Sequence, residues 1–219
     1  DLDPASVFSL AEEVLPKESG PAIPRDYGRE TDLAPLEAEV SCKMEVSMPT
    51  FLLGFKCPPM SGGQEQMRRT LIGELACDVL LGDSSPLYAR LYSQGLINGT
   101  FGYSFDTLPG VAYAYIGGDS KDPHAVAEEV LREARRLVKD GIDPDYYARI
   151  VRANYGSTLK SLNSFESIAI SLVEGQFDGY DPLLFPEMFD SIPPQDLLAF
   201  IRKNLCREHM ALSVVYPKE

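Results

Sequence analysis

In residues 84–105, SSPLYARLYSQGLINGTFGYSF, a predicted helix is followed by a predicted strand. Our interpretation of the fold depends on this change. The Ser-Ser-Pro start predicts a helix, because serine caps helix N-termini and proline is tolerated in the first turn. We predict this helix over 84–95 and, after Gly95, a strand that continues to about Phe105. The stretch also holds several aromatic and polar side chains. It is therefore either a ligand-binding surface or the rim where a helix meets a sheet.

Two strands and a long helix are predicted before this stretch. From Glu37, apolar residues alternate with polar ones, as expected of a strand with one solvent-facing side. A second, more apolar strand extends to Cys57. Apolar residues at helical spacing between Met67 and Leu80 then predict a long amphipathic helix that ends at Gly82. The apolar positions of the first strand are Val40, Cys42, Met44 and Val46.

A hairpin and a run of helices are predicted after the stretch. The chain turns at 108–110 and returns as the strand VAYAYIGG. Asp-Pro pairs at 122–123 and 143–144 each predict a helix start. The sequence MALSVVY is predicted to form the final strand. Further helical segments are predicted near 165–176, 183–190 and 194–205.

This element order predicts the fold class. We write it as β-β-α-α-β-β-α-α-α-α-β, in which strands come in pairs and helices in runs. Such an order is typical of an α+β domain with a mostly antiparallel sheet and helices packed on one face. Regular βαβα alternation is absent, which argues against a doubly wound parallel sheet.

The N-terminal segment is interpreted separately. Residues 1–16 predict a helix with Asp3 as N-cap, Pro4 in its first turn and an apolar stripe from Val7 to Val14. Residues 17–36 are rich in proline and lack periodicity, as expected of a linker. We expect the first helix to be the end of a domain whose body is missing, and residues 37–219 to form a second domain.

The charge and the cysteines limit the partners and the compartment. With 33 acidic and 20 basic residues, the net charge of −13 disfavours nucleic acid and anionic membranes as partners. No apolar run approaches the roughly 20 residues of a membrane span, and the N-terminus lacks the basic region of a signal peptide. We predict a soluble cytoplasmic protein with free, mostly buried thiols, although two disulfides are an alternative. The cysteines are Cys42, Cys57, Cys77 and Cys206.

The sequence contains no motif that is typical of a catalytic site. Zinc sites need several converging ligands, but the two histidines, His124 and His209, lie far apart in the sequence. There is no G-x-S-x-G elbow, no phosphate-binding glycine loop and no cysteine at a helix start. We therefore predict no catalytic residue and no metal site within these residues.

The element order, together with SSPLYARLYSQGL after a long helix, resembles the second half of pitrilysin-type zinc metallopeptidases. These inverzincins include mitochondrial processing peptidase and insulin-degrading enzyme. The sequence of this stretch is most similar to the bacterial branch of the family. In the family, His-x-x-Glu-His and a distal Glu bind zinc in the first half. The second half is metal-free and closes a peptide-holding chamber.

The resemblance implies an assignment for the whole chain. Residues 1–16 would be the last helix of the first half, 17–36 the linker between halves and 37–219 the second half. Zinc is then expected in the missing first half. The expected partners are that half or a paired peptidase subunit, in a homodimer or heterodimer, and a peptide substrate.

The resemblance also implies candidate substrate-binding residues. Active members often have Arg-Glu-x-x-Gly-Leu-x-Tyr here, whose Arg and Tyr hold the substrate. The Arg position falls on Tyr92 and the Tyr position on Asn98, so the pair is not preserved. We predict that Arg90 and Tyr103 take over in part. The alternative is that Arg90 and Tyr92 form a solvated rim.

The leading functional hypothesis is a non-catalytic half that closes the chamber and holds an extended peptide by strand addition. If the acidic charge lines the chamber, basic peptides would be favoured. One alternative is a zinc-free relative that serves as a structural or partner subunit. Another is an unrelated α+β enzyme that acts on a small molecule.

Overall fold

A computed structural model describes residues 2–17, 20–21, 23–24, 26, 28, 32–60 and 62–218. These residues form one five-stranded sheet, eight α-helices and two short 3-10 helices at Pro182–Leu184 and Arg207–His209. The strands are β1 (Glu39–Met44), β2 (Thr50–Cys57), β3 (Gly102–Leu108), β4 (Val111–Asp119) and β5 (Met210–Pro217). The helices are α1 (Pro4–Val14), α2 (Gln64–Leu81), α3 (Pro86–Ser93), α4 (Pro123–Asp140), α5 (Pro144–Ser161), α6 (Phe165–Asp178), α7 (Phe185–Asp190) and α8 (Pro194–Asn204).

The sheet has the strand order β1-β5-β2-β4-β3. Only the pair β1–β5 is parallel, while β5–β2, β2–β4 and β4–β3 are antiparallel. In the central strand β2, Leu53 lies opposite Leu212 on one side and Ile116 on the other. The predicted α+β fold with a mostly antiparallel sheet is therefore confirmed.

The helices cover one face of the sheet. Leu53 and Phe55 of β2 are buried, whereas Leu52, which points to the opposite face, is half exposed. Leu75 and Leu80 of α2 lie in the same buried cluster, as do residues of α4 and α8. Burial of this single apolar layer is the main contribution to the stability of the domain.

A close approach between α2 and β3 sets the position of this sheet edge. A Cβ atom on Gly73 would lie 2.4 Å from Cδ1 of Phe105, closer than two carbon atoms can approach without a shift. Only glycine therefore lets the Phe105 ring rest against the helix. This contact holds the edge strand β3 beside α2.

Most predicted helix starts are confirmed by their caps. Asp3, Ser85, Asp122 and Asp143 accept hydrogen bonds from backbone N–H groups of the first turn, and each is followed by proline. The run of helices between β4 and β5 contains five members, which match the five predicted segments, although the written element order counted only four.

The predicted strand after Gly95 begins later than expected. Strand β3 starts at Gly102, because Asn98 accepts hydrogen bonds from the backbone N–H and the hydroxyl of Thr100. The backbone N–H of Phe101 donates to the carbonyl of Asn98, which closes a turn. Asparagine commonly forms such turns with its own backbone, and the turn delays the strand.

The predicted burial of one face of β1 is wrong. All six residues of β1 are exposed, including Val40, Met44 and Cys42, so this strand at the sheet edge has no covered side. Helix α1 likewise has no buried residue, and Phe8 is 70% exposed. The four cysteines are free, with Cys57 and Cys77 buried as predicted. The predicted linker at 17–36 lies partly outside the described residues.

Candidate functional site

A cavity of about 490 Å³ lies between α2, α5 and α6, at the end of β3. Most of its wall is apolar, and three carboxylates, those of Glu74, Glu174 and Asp178, also line it. We call it the acidic cavity. Its apolar lining residues are Met67, Leu71, Leu162, Ile168, Leu172, Pro182, Leu183, Phe185 and Phe189.

The end of α6 is held against the start of α2 by backbone contacts. The N–H of Gly63 donates to the carbonyl of Asp178 at 2.6 Å, and a Cβ on Gly62 would lie 2.7 Å from the same oxygen. Gly179 ends α6 in the left-handed conformation, with φ +78, which favours glycine. The glycines therefore allow the two segments to meet and bring Asp178 to the cavity wall.

Glu74 and Tyr180 beside the acidic cavity have raised pKa values. Burial raises the pKa of Glu74 to about 7, and the charges of Asp78 and Asp106 add to this effect. The Glu74 side chain is nevertheless exposed to solvent along part of its length, which moderates the rise in its pKa and lets it ionise when a cation approaches. Burial also raises the pKa of Tyr180, together with the charges of Glu174, Asp178 and Glu74. The cavity thus favours a ligand that carries a positive charge beside an apolar stem.

Asp78, one turn after Glu74, joins three elements beside this cavity. The hydroxyl of Tyr103 in β3 donates to Oδ1 of Asp78 at 2.8 Å, and Nδ2 of Asn154 in α5 donates to Oδ2 at 2.6 Å. The hydroxyl of Tyr146 donates to the carbonyl of Val79 at 3.1 Å. Burial and the hydrogen bond to Asp78 raise the pKa of Tyr103, so its hydroxyl remains a donor.

The predicted residue Arg90 lies in an ion-pair network. Its Nε lies 3.1 Å from Oε2 of Glu129, and its Nη2 lies 3.1 Å from Oε2 of Glu133. Both glutamates belong to α4. Burial alone would raise the pKa of Glu133, but hydrogen bonds from Arg136 and Arg90 outweigh it and hold the pKa below its usual range. In this structure Arg90 therefore joins α3 to α4.

The other predicted residues contact different parts of the molecule. Tyr92 is 56% exposed and stacks on Tyr88, with ring centroids 5.8 Å apart. Asn98 bonds within its own turn, and Tyr103 bonds to α2 through Asp78. None of the four lines the acidic cavity. Their predicted role in substrate binding stays a prediction.

Sequence reasoning missed the carboxylates of the acidic cavity. Glu74 and Glu174 are separated by about half of the chain, and each occupies an ordinary position in an amphipathic helix. No local pattern marks them as neighbours. An acidic residue inside an apolar stretch of helix, as at Glu74, is the one signal that could have drawn attention to them.

Zinc does not fit the described residues. Within 2–17, 32–60, 62–218 and the shorter described segments, no three His, Cys, Asp or Glu side chains are placed to hold a metal. His124 Nε2 lies 3.4 Å from Oε1 of Glu39, and Nδ1 of His209 is buried without a hydrogen-bond partner among the described residues. None of the helices that the structure describes is long and apolar enough to cross a membrane.

Comparison with known proteins now decides the family. The family profile described as the peptidase M16 inactive domain matches residues 1–154. The chain belongs to the peptidase M16 family. The predicted resemblance to pitrilysin-type zinc peptidases is confirmed, and the M16 chain corresponds to an inactive domain of that family.

Individual relatives agree with this assignment. The M16 chain is 30% identical over 230 residues to the uncharacterized zinc protease YmfH of Bacillus subtilis (strain 168), covering 99% of the chain and 51% of YmfH. It thus spans about half the length of this curated relative.

Two solved structures share the fold of this chain. An M16-like peptidase from Alicyclobacillus acidocaldarius superposes with a TM-score of 0.88 at 21% identity, over 98% of this chain and 51% of that one. A protease from Helicobacter pylori superposes with a TM-score of 0.79 at 16% identity, over 99% and 53%. At these identities the likeness concerns the fold of the M16 domain.

Proposed function

We propose that this M16 domain is the non-catalytic half of a zinc peptidase, and that it closes a chamber and binds extended peptide. The observation that carries the proposal is the position of the acidic cavity. Thr107 belongs to the edge strand β3 and also lines this cavity. The acidic cavity therefore adjoins the edge of β3. The edge can pair with a peptide backbone, and the cavity can accept a side chain of that peptide.

Strand addition explains how the two features would act together. As an edge strand, β3 pairs with β4 on one side only. A peptide that paired with the other side would gain main-chain hydrogen bonds, while alternate side chains would enter pockets beside the strand. The apolar wall and the carboxylates of Glu74, Glu174 and Asp178 suit lysine or arginine, whose stem is apolar and whose head is charged.

The remaining parts of the peptidase are assigned to another half. We propose that residues 1–16 end that catalytic half, that 17–36 connect the halves, and that 37–219 form the present domain. The catalytic half, in the same protein or in a paired subunit, would hold the zinc that supplies hydrolysis. The four free cysteines support a reducing, cytoplasmic location.

A second candidate function is a structural or partner subunit without zinc. Two observations favour it. Arg90 and Tyr103 make internal contacts to Glu133 and Asp78, and the expected Arg and Tyr positions hold Tyr92 and Asn98. In that case the domain would stabilise an assembly and peptide affinity would be absent.

Zinc content and peptide affinity of the intact protein test the proposal. We expect about one zinc per chain, or per pair of chains if a partner subunit holds it, by mass spectrometry. Binding of a lysine-containing peptide should weaken in Ser171→Trp, because a bulky ring would fill the acidic cavity that Ser171 lines. Ala169→Trp is the control, since Ala169 is exposed on the same helix and outside the cavity.

The outcomes separate the two functions. A folded protein without zinc that does not bind peptide would contradict the peptidase proposal and support the structural subunit. If the protein contains zinc and Ser171→Trp leaves peptide binding unchanged, the peptide binds away from the acidic cavity.

A further inference from the structure

A second cavity, of about 260 Å³, lies between α2, α8 and the end of β2. Arg68, Arg69, Asp196, Lys203 and Asn204 line it together with apolar side chains such as Phe200. We call it the basic cavity. Except for Cys57, Pro58 and Met60, its lining comes from the facing sides of the two helices, and it shares no lining residue with the acidic cavity.

Two positive charges in the basic cavity are not compensated within the described residues. Arg68 is engaged, since its Nη2 lies 2.5 Å from Oδ2 of Asp196 and 3.2 Å from the carbonyl of Ser191. The side chains of Arg69 and Lys203, in contrast, form no hydrogen bond or ion pair with any residue that the structure describes. In a chain with a net charge of −13, two such cations at one cavity indicate an anionic ligand.

A buried acceptor without a partner lies in the same wall. Asn204 is 5% exposed, and its Nδ2 donates to the carbonyl of Phe200 at 3.1 Å, which fixes the orientation of the amide. Its Oδ1 is buried and receives no hydrogen bond from any residue that the structure describes. Since leaving a buried acceptor unpaired is costly, a donor is expected to occupy this position.

We infer that the basic cavity binds a carboxylate that has an N–H group beside it, the chemistry found at the C-terminus of a peptide. The carboxylate would lie between the Arg69 guanidinium, whose planar fork suits two carboxylate oxygens, and the Lys203 ammonium. The adjacent amide N–H would donate to Oδ1 of Asn204. A sulfate ion would satisfy the cations but leave this acceptor unpaired.

The ligand chemistry has two sources, namely a peptide C-terminus and a free N-acylated amino acid. Both present a carboxylate next to an amide N–H. The inference does not depend on cleavage or on the acidic cavity, because it concerns different residues and a ligand that needs no basic side chain. Its failure is therefore distinguishable from failure of the proposed function.

Calorimetric titration of the intact protein tests the inference with three probes. These are the tripeptide acetyl-Ala-Ala-Leu with a free carboxylate, the same tripeptide as its C-terminal amide, and N-acetyl-leucine. We expect the free acid to bind at least about tenfold more tightly than the amide, because the amide removes the charged partner of Arg69. Equal affinity for the tripeptide acid and N-acetyl-leucine would show that an N-acylated amino acid is sufficient as the ligand. Tighter binding of the tripeptide would show that the ligand is a peptide C-terminus.

Substitutions locate the site. Arg69→Gln should weaken binding of the free acid by about tenfold, and Asn204→Ala should weaken it further. Arg202→Gln is the charge-matched control, since Arg202 is exposed beside Lys203 but does not line the basic cavity. Circular dichroism of each variant checks that it folds. The comparison of the free acid with the amide uses the unmodified protein, so it does not depend on the folding of a variant.

Three outcomes would overturn the inference. The first is equal binding of acid and amide by the unmodified protein. The second is an equal loss of affinity in Arg69→Gln and Arg202→Gln, which would indicate only a general effect of charge. The third is no binding of any probe at millimolar concentration, which would mean that Asn204 Oδ1 holds a buried water molecule only.

Discussion

Nη2 of Arg90 lies 3.1 Å from Oε2 of Glu133, a side chain that is 4% exposed. Arg136 binds the other oxygen of the same carboxylate, with its Nη2 2.6 Å from Oε1. A buried carboxylate that is bound by two guanidinium groups is compensated, whereas loss of one partner leaves part of its charge unpaired. The residue that sequence reasoning linked to substrate thus has a structural partner in α4.

We expect Arg90→Gln to lower the free energy of unfolding by roughly 1–3 kcal/mol, because Glu133 keeps a desolvated charge with one partner fewer. Chemical denaturation at pH 7 measures this change. Arg132→Gln is the matched control, because Arg132 is exposed and pairs with Glu129 rather than with the buried Glu133. A loss in Arg90→Gln no larger than in Arg132→Gln would contradict the structural role.

Tyr103→Phe should cost about 1 kcal/mol of stability, because it removes the hydroxyl that donates to Asp78 while Asn154 still binds that carboxylate. Tyr113→Phe serves as the control, since the Tyr113 hydroxyl makes no hydrogen bond within the described part of the chain. Peptide affinity, measured beside stability, separates the two roles of Tyr103. Weaker peptide binding at unchanged stability would support the role in substrate binding that the sequence predicts.

Gly73→Ala should destabilise the protein by roughly 1–3 kcal/mol, because the new methyl group would overlap the Phe105 ring. Gly156→Ala in α5 is expected to have the opposite effect and stabilise by about 0.5–1 kcal/mol, since nothing lies within 4 Å of its Cβ position. Thermal and chemical unfolding of both variants give the comparison. Equal effects of the two substitutions would show that the contact between α2 and β3 is looser than described.

Ionisation of Glu74 should make the protein less stable as the pH rises. Its folded pKa is raised to about 7, so the folded state binds more protons than the unfolded state between the two pKa values. Stability is therefore greatest below the unfolded pKa and is lost as the pH rises through about 7. We expect Glu74→Gln to be more stable than the unmodified protein at pH 8 by roughly 1 kcal/mol, a value reduced by contact with solvent, and to show almost no gain at about pH 4. If Glu65→Gln, in the same helix but outside the acidic cavity, removed the pH dependence equally, Glu74 would not be its source.

Binding of basic peptides should show the opposite dependence on pH. A lysine ammonium in the acidic cavity stabilises ionised Glu74, so affinity should rise by roughly threefold to fivefold between pH 6 and pH 8. A peptide with glutamine in place of lysine is the control for changes elsewhere. Fluorescence anisotropy of the two labelled peptides measures the difference, which Glu74→Gln should abolish. Equal affinity for both peptides at all pH values would remove the acidic cavity from substrate selection.

Local signals in the sequence determined most of the elements of this M16 domain. The Asp-Pro pairs before α4 and α5 and the Ser-Pro start of α3 act within one helical turn, so they predict helix starts without knowledge of the fold. The apolar periods of α2 and β2 likewise report local geometry and correctly separated helix from strand. The family resemblance rested on the same local order of elements.

Tertiary structure alone decided the contacts between distant segments. The parallel pairing of β1 with β5, the partner of Arg90 in α4 and the position of Glu74 and Asp178 on one cavity wall depend on how helices and strands pack. Periodicity shows which face of an element is apolar, but it does not show what covers that face, as the exposed β1 and α1 demonstrate. The physical reason is that capping and periodicity act over a few residues, whereas a binding cavity forms only where packing brings separate elements together.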